Sequence, residues 1–138
     1  GQDLPRDAHF AVGNFLRDVI DNKPITINGD GSAVRSFMDQ GDLAHWLLTI
    51  LFFGGNNQVY NVGSDEEISI LNLAELVKKI FQSNLPINIE YKSVTGQAKG
   101  RNYYVPNIDK AKKDLGLSLN SSLEDSVLKI SEATINCE

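Results

Sequence analysis

Cysteine is almost absent from this 138-residue chain, with Cys137 the single example. One thiol provides neither a disulfide framework nor a thiolate pair for zinc, and this usage fits a cytoplasmic protein. Positive charge is scarce too: 13 Lys and Arg stand against 18 Asp and Glu, leaving a net charge of −5 and a pI near 5.0. A nucleic-acid binder usually carries a basic face, so the balance argues against that partner. An anionic ligand would need cations placed locally.

Long apolar runs are missing as well. The longest, LAHWLLTILFF from Leu43 to Phe53, is far short of a bilayer-spanning length and contains His45, so no membrane partner is expected. No secretory leader is expected. It starts at Gly1 without a run-in, from which we expect a piece of a longer protein. Only four prolines interrupt a chain that is 41% apolar, enough for one core and one domain over residues 1–138.

The usual catalytic signatures are also lacking. Gly29 and Gly31 begin a G-x-G, but Val34 stands where the dinucleotide fingerprint needs its third glycine. There is no phosphate-binding G-x-x-x-x-G-K-[ST] loop, no H-E-x-x-H and no G-x-S-x-G. His9 and His45 fall on separate helices, where ordinary structural roles are expected, with His45 half-buried, and no metal site is expected. None of Tyr60, Tyr91, Tyr103 and Tyr104 is followed four residues later by lysine. No catalytic residue is assigned.

What is present is a set of periodic segments. In DAHFAVGNFLRDVID, Phe10, Phe15, Leu16, Val19 and Ile20 form one apolar helical stripe over residues 7–21, bounded by Pro24. ITIN, Ile25 to Asn28, reads as a strand, GDG as a turn, and Arg35 to Met38 as a second strand. DLAHWLLTILFF reads as a largely buried helix, with Asp42 in the first turn facing the positive end of the helix dipole and Gly54 and Gly55 ending it. QVYNVG reads as a strand. Ser69 caps the helix ILNLAELVKKIFQ, INIEYK alternates as a strand, and SVTGQAKGRN over residues 93–102 is an irregular loop of the kind that carries ligand contacts. Asn107 caps a short helix, and Ser121 with Glu124 reads as a capping box before the last one. The order predicts a small α/β or α+β domain.

Three blocks carry a resemblance. KPITINGDGSAVRSFMDQGDLA, VYNVGSDEEISILNLAELV and YYVPNIDKAKKDLGL, in this order and spacing, resemble the C-terminal part of extended short-chain dehydrogenases/reductases, the NAD-dependent nucleotide-sugar epimerases and dehydratases. The resemblance implies the substrate-binding subdomain of a Rossmann-type enzyme whose N-terminal part, with its NAD site, its Tyr-x-x-x-Lys pair and its dimer contacts, is absent. It implies that Arg35 meets the diphosphate of a dTDP- or UDP-hexose. A guanidinium suits that role because its planar fork of donors matches phosphate oxygens and its charge persists at any working pH. The plain reading of Arg35 is a surface partner of Asp30 or Asp39.

Arg101 is implied as a second phosphate contact, with Lys99 the other cation of a loop that departs from the family's R-P-G-D form by Val94. Ile25, Thr26, Ile27 and Asn28 match the strand that runs beside the base, although an aromatic often replaces Asn28. Phe15 is either the substitute ring or plain core, and Asn61 in the Y-N-x-G segment is a structural brace. The whole enzyme is expected to resemble dTDP-glucose 4,6-dehydratase, with UDP-glucuronate decarboxylase and UDP-sugar 4-epimerase as alternatives and a stand-alone nucleotide-binding or interaction module as the non-catalytic one. Without its Rossmann half, the piece should expose an apolar face and self-associate weakly at high concentration.

Overall fold

In the computed structural model, which describes residues 10–90 and 102–135, ten elements form two small sheets wrapped by helices. The helices are α1 (Ala11–Ile20), α2 (Gln40–Phe53), α3 (Ile70–Ile80), α4 (Asp109–Leu115) and α5 (Leu123–Ile135). The strands are β1 (Ile25–Asn28), β2 (Val34–Ser36), β3 (Glu67–Ser69), β4 (Ile87–Glu90) and β5 (Tyr103–Tyr104). The mixed α/β class read from the sequence holds.

β1 pairs in parallel with β4, Ile25 opposite Ile87 and Asn28 opposite Glu90. The second sheet has the order β3-β2-β5, antiparallel between β2 and β3 and parallel between β2 and β5. A tight turn joins the sheets. Asp30 accepts from the backbone and hydroxyl of Ser32 at 2.9 and 2.7 Å, and these bonds, with its own backbone, hold its carboxyl below the usual range against slight desolvation. Gly31 has φ +75°, and a Cβ there would lie 3.0 Å from the Cβ of Leu71, so both conformation and contact require glycine.

Two cores hold the elements. The larger joins Val12, Phe15 and Leu16 of α1, Ile25 and Ile27 of β1, Leu73 and Val77 of α3, and Val127 and Ile130 of α5. Each helix supplies residues three or four apart, the spacing that puts side chains on one face. The smaller core centres on Trp46 of α2, fully buried against Ile108, Ala111 and Leu117, with its indole N–H donating to the carbonyl of Ser118 at 3.0 Å.

Several expectations change. The α1 stripe buries Phe15 and Leu16 but leaves Phe10 exposed, because helix geometry begins only at Ala11. QVYNVG forms no strand: residues 58–63 have no ladder partner among the described residues, and the neighbouring strand is β3, beyond them in sequence. Helix α2 is not largely buried. Only Asp42 and Trp46 are, while Leu51, Phe52 and Phe53 are 73, 71 and 73% exposed. His45 is correspondingly exposed rather than half-buried, since it lies on the side of α2 away from Trp46's pocket.

The caps shift by single residues. Ser122 and Asp125, not Ser121 and Glu124, make the reciprocal box before α5: the Asp125 N–H donates to Ser122 Oγ at 3.1 Å, and the Ser122 N–H donates to the Asp125 carboxylate at 3.0 Å. Glu124 pairs instead with Lys79 at 3.5 Å. Asn107 sits one residue ahead of the α4 cap and accepts the Asp109 N–H at 3.0 Å. Ser69 caps α3 as read, accepting from Asn72 at 3.1 Å.

Candidate functional site

Arg35 occupies the centre of the three-stranded sheet, opposite Ile68 on one side and Tyr104 on the other. Directly opposed residues share a sheet face, so the guanidinium-bearing side chain and the Tyr104 ring belong to the same face. One guanidinium nitrogen donates to the carbonyl of Val34 at 2.7 Å and to that of Asn102 at 3.3 Å. Those two carbonyls orient the fork. The carboxylates considered as its partners have other work, Asp30 in the turn and Asp39 as the α2 cap, where it accepts from Gly41 at 2.8 Å and from Ser126 Oγ at 2.9 Å.

On the opposite face Tyr103, level with Val34, reaches Glu67, level with Ser36. The hydrogen bond to Glu67 raises the Tyr103 phenol above its ordinary value, with desolvation and the carboxylate's charge adding to it. Tyr104 is 75% exposed. The pair went unrecognised in the sequence because two residues are too few to show a strand period; their aromatic character next to V-P was the available signal.

β1 presents its groups in alternation. Ile25 and Ile27 are buried in the larger core, Thr26 is half-buried and Asn28 exposed. Gly29 donates to Glu90, so residues 25, 27 and 29 turn their backbone groups toward β4 while Thr26 and Asn28 turn theirs to the opposite edge. There the Thr26 N–H meets Asp18 at 3.4 Å. Phe15 is 2% exposed inside the core, which gives its ring a packing role and removes it as a stacking platform. Asn61 Nδ2 donates to the carbonyl of Asn107 at 2.9 Å, bracing two loops as expected. Arg101 and Lys99 lie outside the described residues, as do His9, Tyr91 and Cys137. The structure thus brings Arg35, Tyr104 and Asn102 together; β1 joins them only through the 29–33 turn.

Among the described residues no group of three His, Cys, Asp or Glu could hold a metal ion. The G-x-G turn does not fit NAD, because it runs into β2 rather than into a helix start and its Gly31 carbonyl accepts from Leu71. No described helix is long and apolar enough to cross a membrane.

Known proteins share this chain's sequence pattern and fold. Residues 4–63 match the model of the NAD dependent epimerase/dehydratase family. The chain is 32% identical over 116 residues to UDP-glucuronic acid decarboxylase 1 of Arabidopsis thaliana, covering 83% of itself and 25% of that protein. It is 31% identical to the dTDP-D-glucose 4,6-dehydratase of Bos taurus, covering 57% of itself and 22% of the relative. The fold of UDP-glucose 4-epimerase from Thermotoga maritima superposes with a TM-score of 0.83 at 22% identity, over 96% of this chain and 42% of that one. UDP-glucuronic acid 4-epimerase from Bacillus cereus, solved with UDP-glucuronic acid and NAD, superposes at 0.78 with 26% identity, over 94% of this chain and 41% of that one. The chain therefore spans about a quarter of the curated relatives and about two-fifths of the solved ones.

Proposed function

We propose that this chain, which belongs to the NAD dependent epimerase/dehydratase family, is the nucleotide-sugar-binding portion of a longer enzyme. The observation that carries the reading is the placement of Arg35. A guanidinium on the middle strand of a sheet, oriented by two backbone carbonyls, is a pre-organised cation in a chain of net charge −5. Its ligand is the diphosphate of a dTDP- or UDP-hexose. The outward backbone groups of Asn28 and the outward carbonyl of Thr26, whose N–H is taken by Asp18, suit the polar edge of the base, and Arg101 is the second phosphate contact.

The hydride chemistry of such an enzyme belongs to a dinucleotide-binding portion, since the glycine turn in this chain offers NAD no helix start. What this portion contributes is affinity and orientation: it fixes the sugar at the distance a bound cofactor needs. The relatives named above act as decarboxylase, dehydratase and epimerase, and the blocks lean toward a dTDP-glucose 4,6-dehydratase-like reaction in the cytoplasm, within cell-surface polysaccharide synthesis.

Isothermal titration of the chain with dTDP-glucose, UDP-glucose and free nucleoside diphosphates tests this. Binding that survives loss of the sugar and drops about tenfold to a hundredfold in Arg35→Ala is expected, the worth of one charge-assisted contact. Equal affinity in Arg35→Ala, or affinity for a protein partner with none for nucleotides, would favour an interaction module instead.

A further inference from the structure

Strand β5 is too short to be held by its ladder alone. It has two residues, it pairs with β2 along one edge, and Pro106, which has no N–H, bars the ladder two residues beyond Tyr104. Downstream the chain is well fixed. Pro106 packs so closely on Gly63 that a Cβ there would lie 2.7 Å from the proline Cγ, and Asn61 donates to the carbonyl of Asn107. At the upstream end the anchoring side chain is Tyr103. Its phenol donates to the carboxylate of Glu67, which belongs to β3 on the far side of β2, so one bond runs across all three strands. The two outer strands lie roughly 10 Å apart, twice the strand spacing, a gap that a tyrosine and a glutamate close together.

What this bond fixes is the peptide just before Tyr103. The carbonyl of Asn102 accepts the Val34 N–H at 2.6 Å and the Arg35 guanidinium at 3.3 Å. The guanidinium contact is the longer of the two, so a small shift of β5 loses it first. Side chains alternate across a strand, which puts Tyr103 and Glu67 on the face opposite to Arg35 and Tyr104. A ligand held by Arg35 on its own face is therefore out of reach of the Tyr103 hydroxyl. We propose that Tyr103 and Glu67 are positioning residues for Arg35: by holding β5 on β2 they set the Asn102 carbonyl, and through that carbonyl the direction in which the guanidinium points. Neither of them touches the ligand. The proposal rests on the reading of Arg35 as the diphosphate contact.

The test is Tyr103→Phe, which removes one hydroxyl from an exposed ring and leaves both cores untouched. Titrated with uridine diphosphate, it should bind about threefold to tenfold more weakly than the parent, the range of one hydrogen bond expressed as affinity. Without nucleotide, amide hydrogen exchange at Val34 should be faster by a similar factor, because its acceptor is the Asn102 carbonyl. Glu67→Gln keeps an oxygen for the phenol and should retain most of the affinity, whereas Glu67→Ala should match Tyr103→Phe. In an Arg35→Ala background Tyr103→Phe should cost nothing further, a result that a general loss of stability does not produce. Parental affinity or parental Val34 exchange in Tyr103→Phe would overturn the proposal, as would an undiminished loss in the Arg35→Ala background. If Arg35→Ala itself binds like the parent, the diphosphate reading fails and this proposal falls with it, so the two failures are distinguishable.

Discussion

The carboxylate of Asp42, buried at the start of α2, accepts the side-chain amide of Asn120 at 2.8 Å and its backbone N–H at 3.0 Å. The N–H of Ser121 adds a third donor at 3.1 Å. One side chain thereby ties the helix that carries Trp46 to the link between α4 and α5, residues nearly eighty positions apart in sequence. Removing it leaves an exposed asparagine and a half-buried serine N–H without their carboxylate. Asp42→Ala should cost about 1.5–3 kcal/mol, the worth of hydrogen bonding to a charged group, since the freed donors can turn to water. Urea unfolding of the two proteins side by side, read by the fluorescence of the single tryptophan, measures this.

The same carboxylate makes stability depend on acid. Burial opposes its charge, but the donors of Asn120 and Ser121 outweigh that and hold it below the ordinary carboxylate value, with the charge of Asp39 opposing. A group whose folded pKa is depressed contributes stability above its unfolded value, near 4, and loses it as pH falls through the folded one. Unfolding free energy should therefore decline below about pH 4. Asp39, lowered by Gly41, Ser126 and Lys129 against its own burial, adds to the slope. In Asp42→Asn the decline should be shallower, and an unchanged pH profile would remove Asp42 from this account.

How far the sequence carried these features depends on the scale of the signal. Helices α1 and α3 were legible because their apolar residues recur with the helical period and are buried on one side. Helix α2 and QVYNVG read as a buried helix and a strand because apolar composition and alternation are local signals, whereas burial and strand pairing are set by neighbours distant in sequence. β5 was too short to announce itself, and Arg35 was recognisable only through a resemblance, since a lone arginine after a turn has no period at all. The buried links from Asp42 to Asn120 and from Trp46 to Ser118 were invisible, being set by long-range packing.

The capping shift gives a sharper trial of local chemistry. Ser122→Ala removes the oxygen that accepts the Asp125 N–H and should cost about 1 kcal/mol, the usual value of a serine N-cap. Ser121→Ala removes only a hydroxyl that accepts from exposed Lys129 at 3.1 Å and should cost less than half as much. The ordering of the two midpoints in thermal unfolding is the readout. Reversed, it would restore the box read from the sequence.

Phe15 separates packing from recognition. Its ring sits in the larger core among α1, β1, α3 and α5, so Phe15→Ala should cost about 3–5 kcal/mol through a cavity that the surroundings cannot fill. Phe15→Leu keeps most of the volume and should remain folded with a smaller loss. Nucleotide affinity measured on Phe15→Leu, at a temperature where it is fully folded, should equal that of the parent chain. Affinity that falls severalfold while circular dichroism stays native would return the ring to the binding site.

Tyr104 offers the complementary case. It stands level with Arg35 on the same sheet face and is largely exposed, so its ring supports no core and its loss should barely change stability. If the sheet face bearing Arg35 is where the ligand lies, a planar ring at that position contributes contact beside the phosphates. Tyr104→Ala should then weaken nucleotide-sugar binding by severalfold while leaving the unfolding midpoint within about a degree, and Tyr104→Phe should retain the affinity because the contact uses the ring rather than the hydroxyl. Combined with Arg35→Ala in a double-mutant cycle, the losses should be less than additive, since neighbouring groups on one ligand share its positioning. Full additivity would place the two residues on separate tasks and move the ligand away from this face.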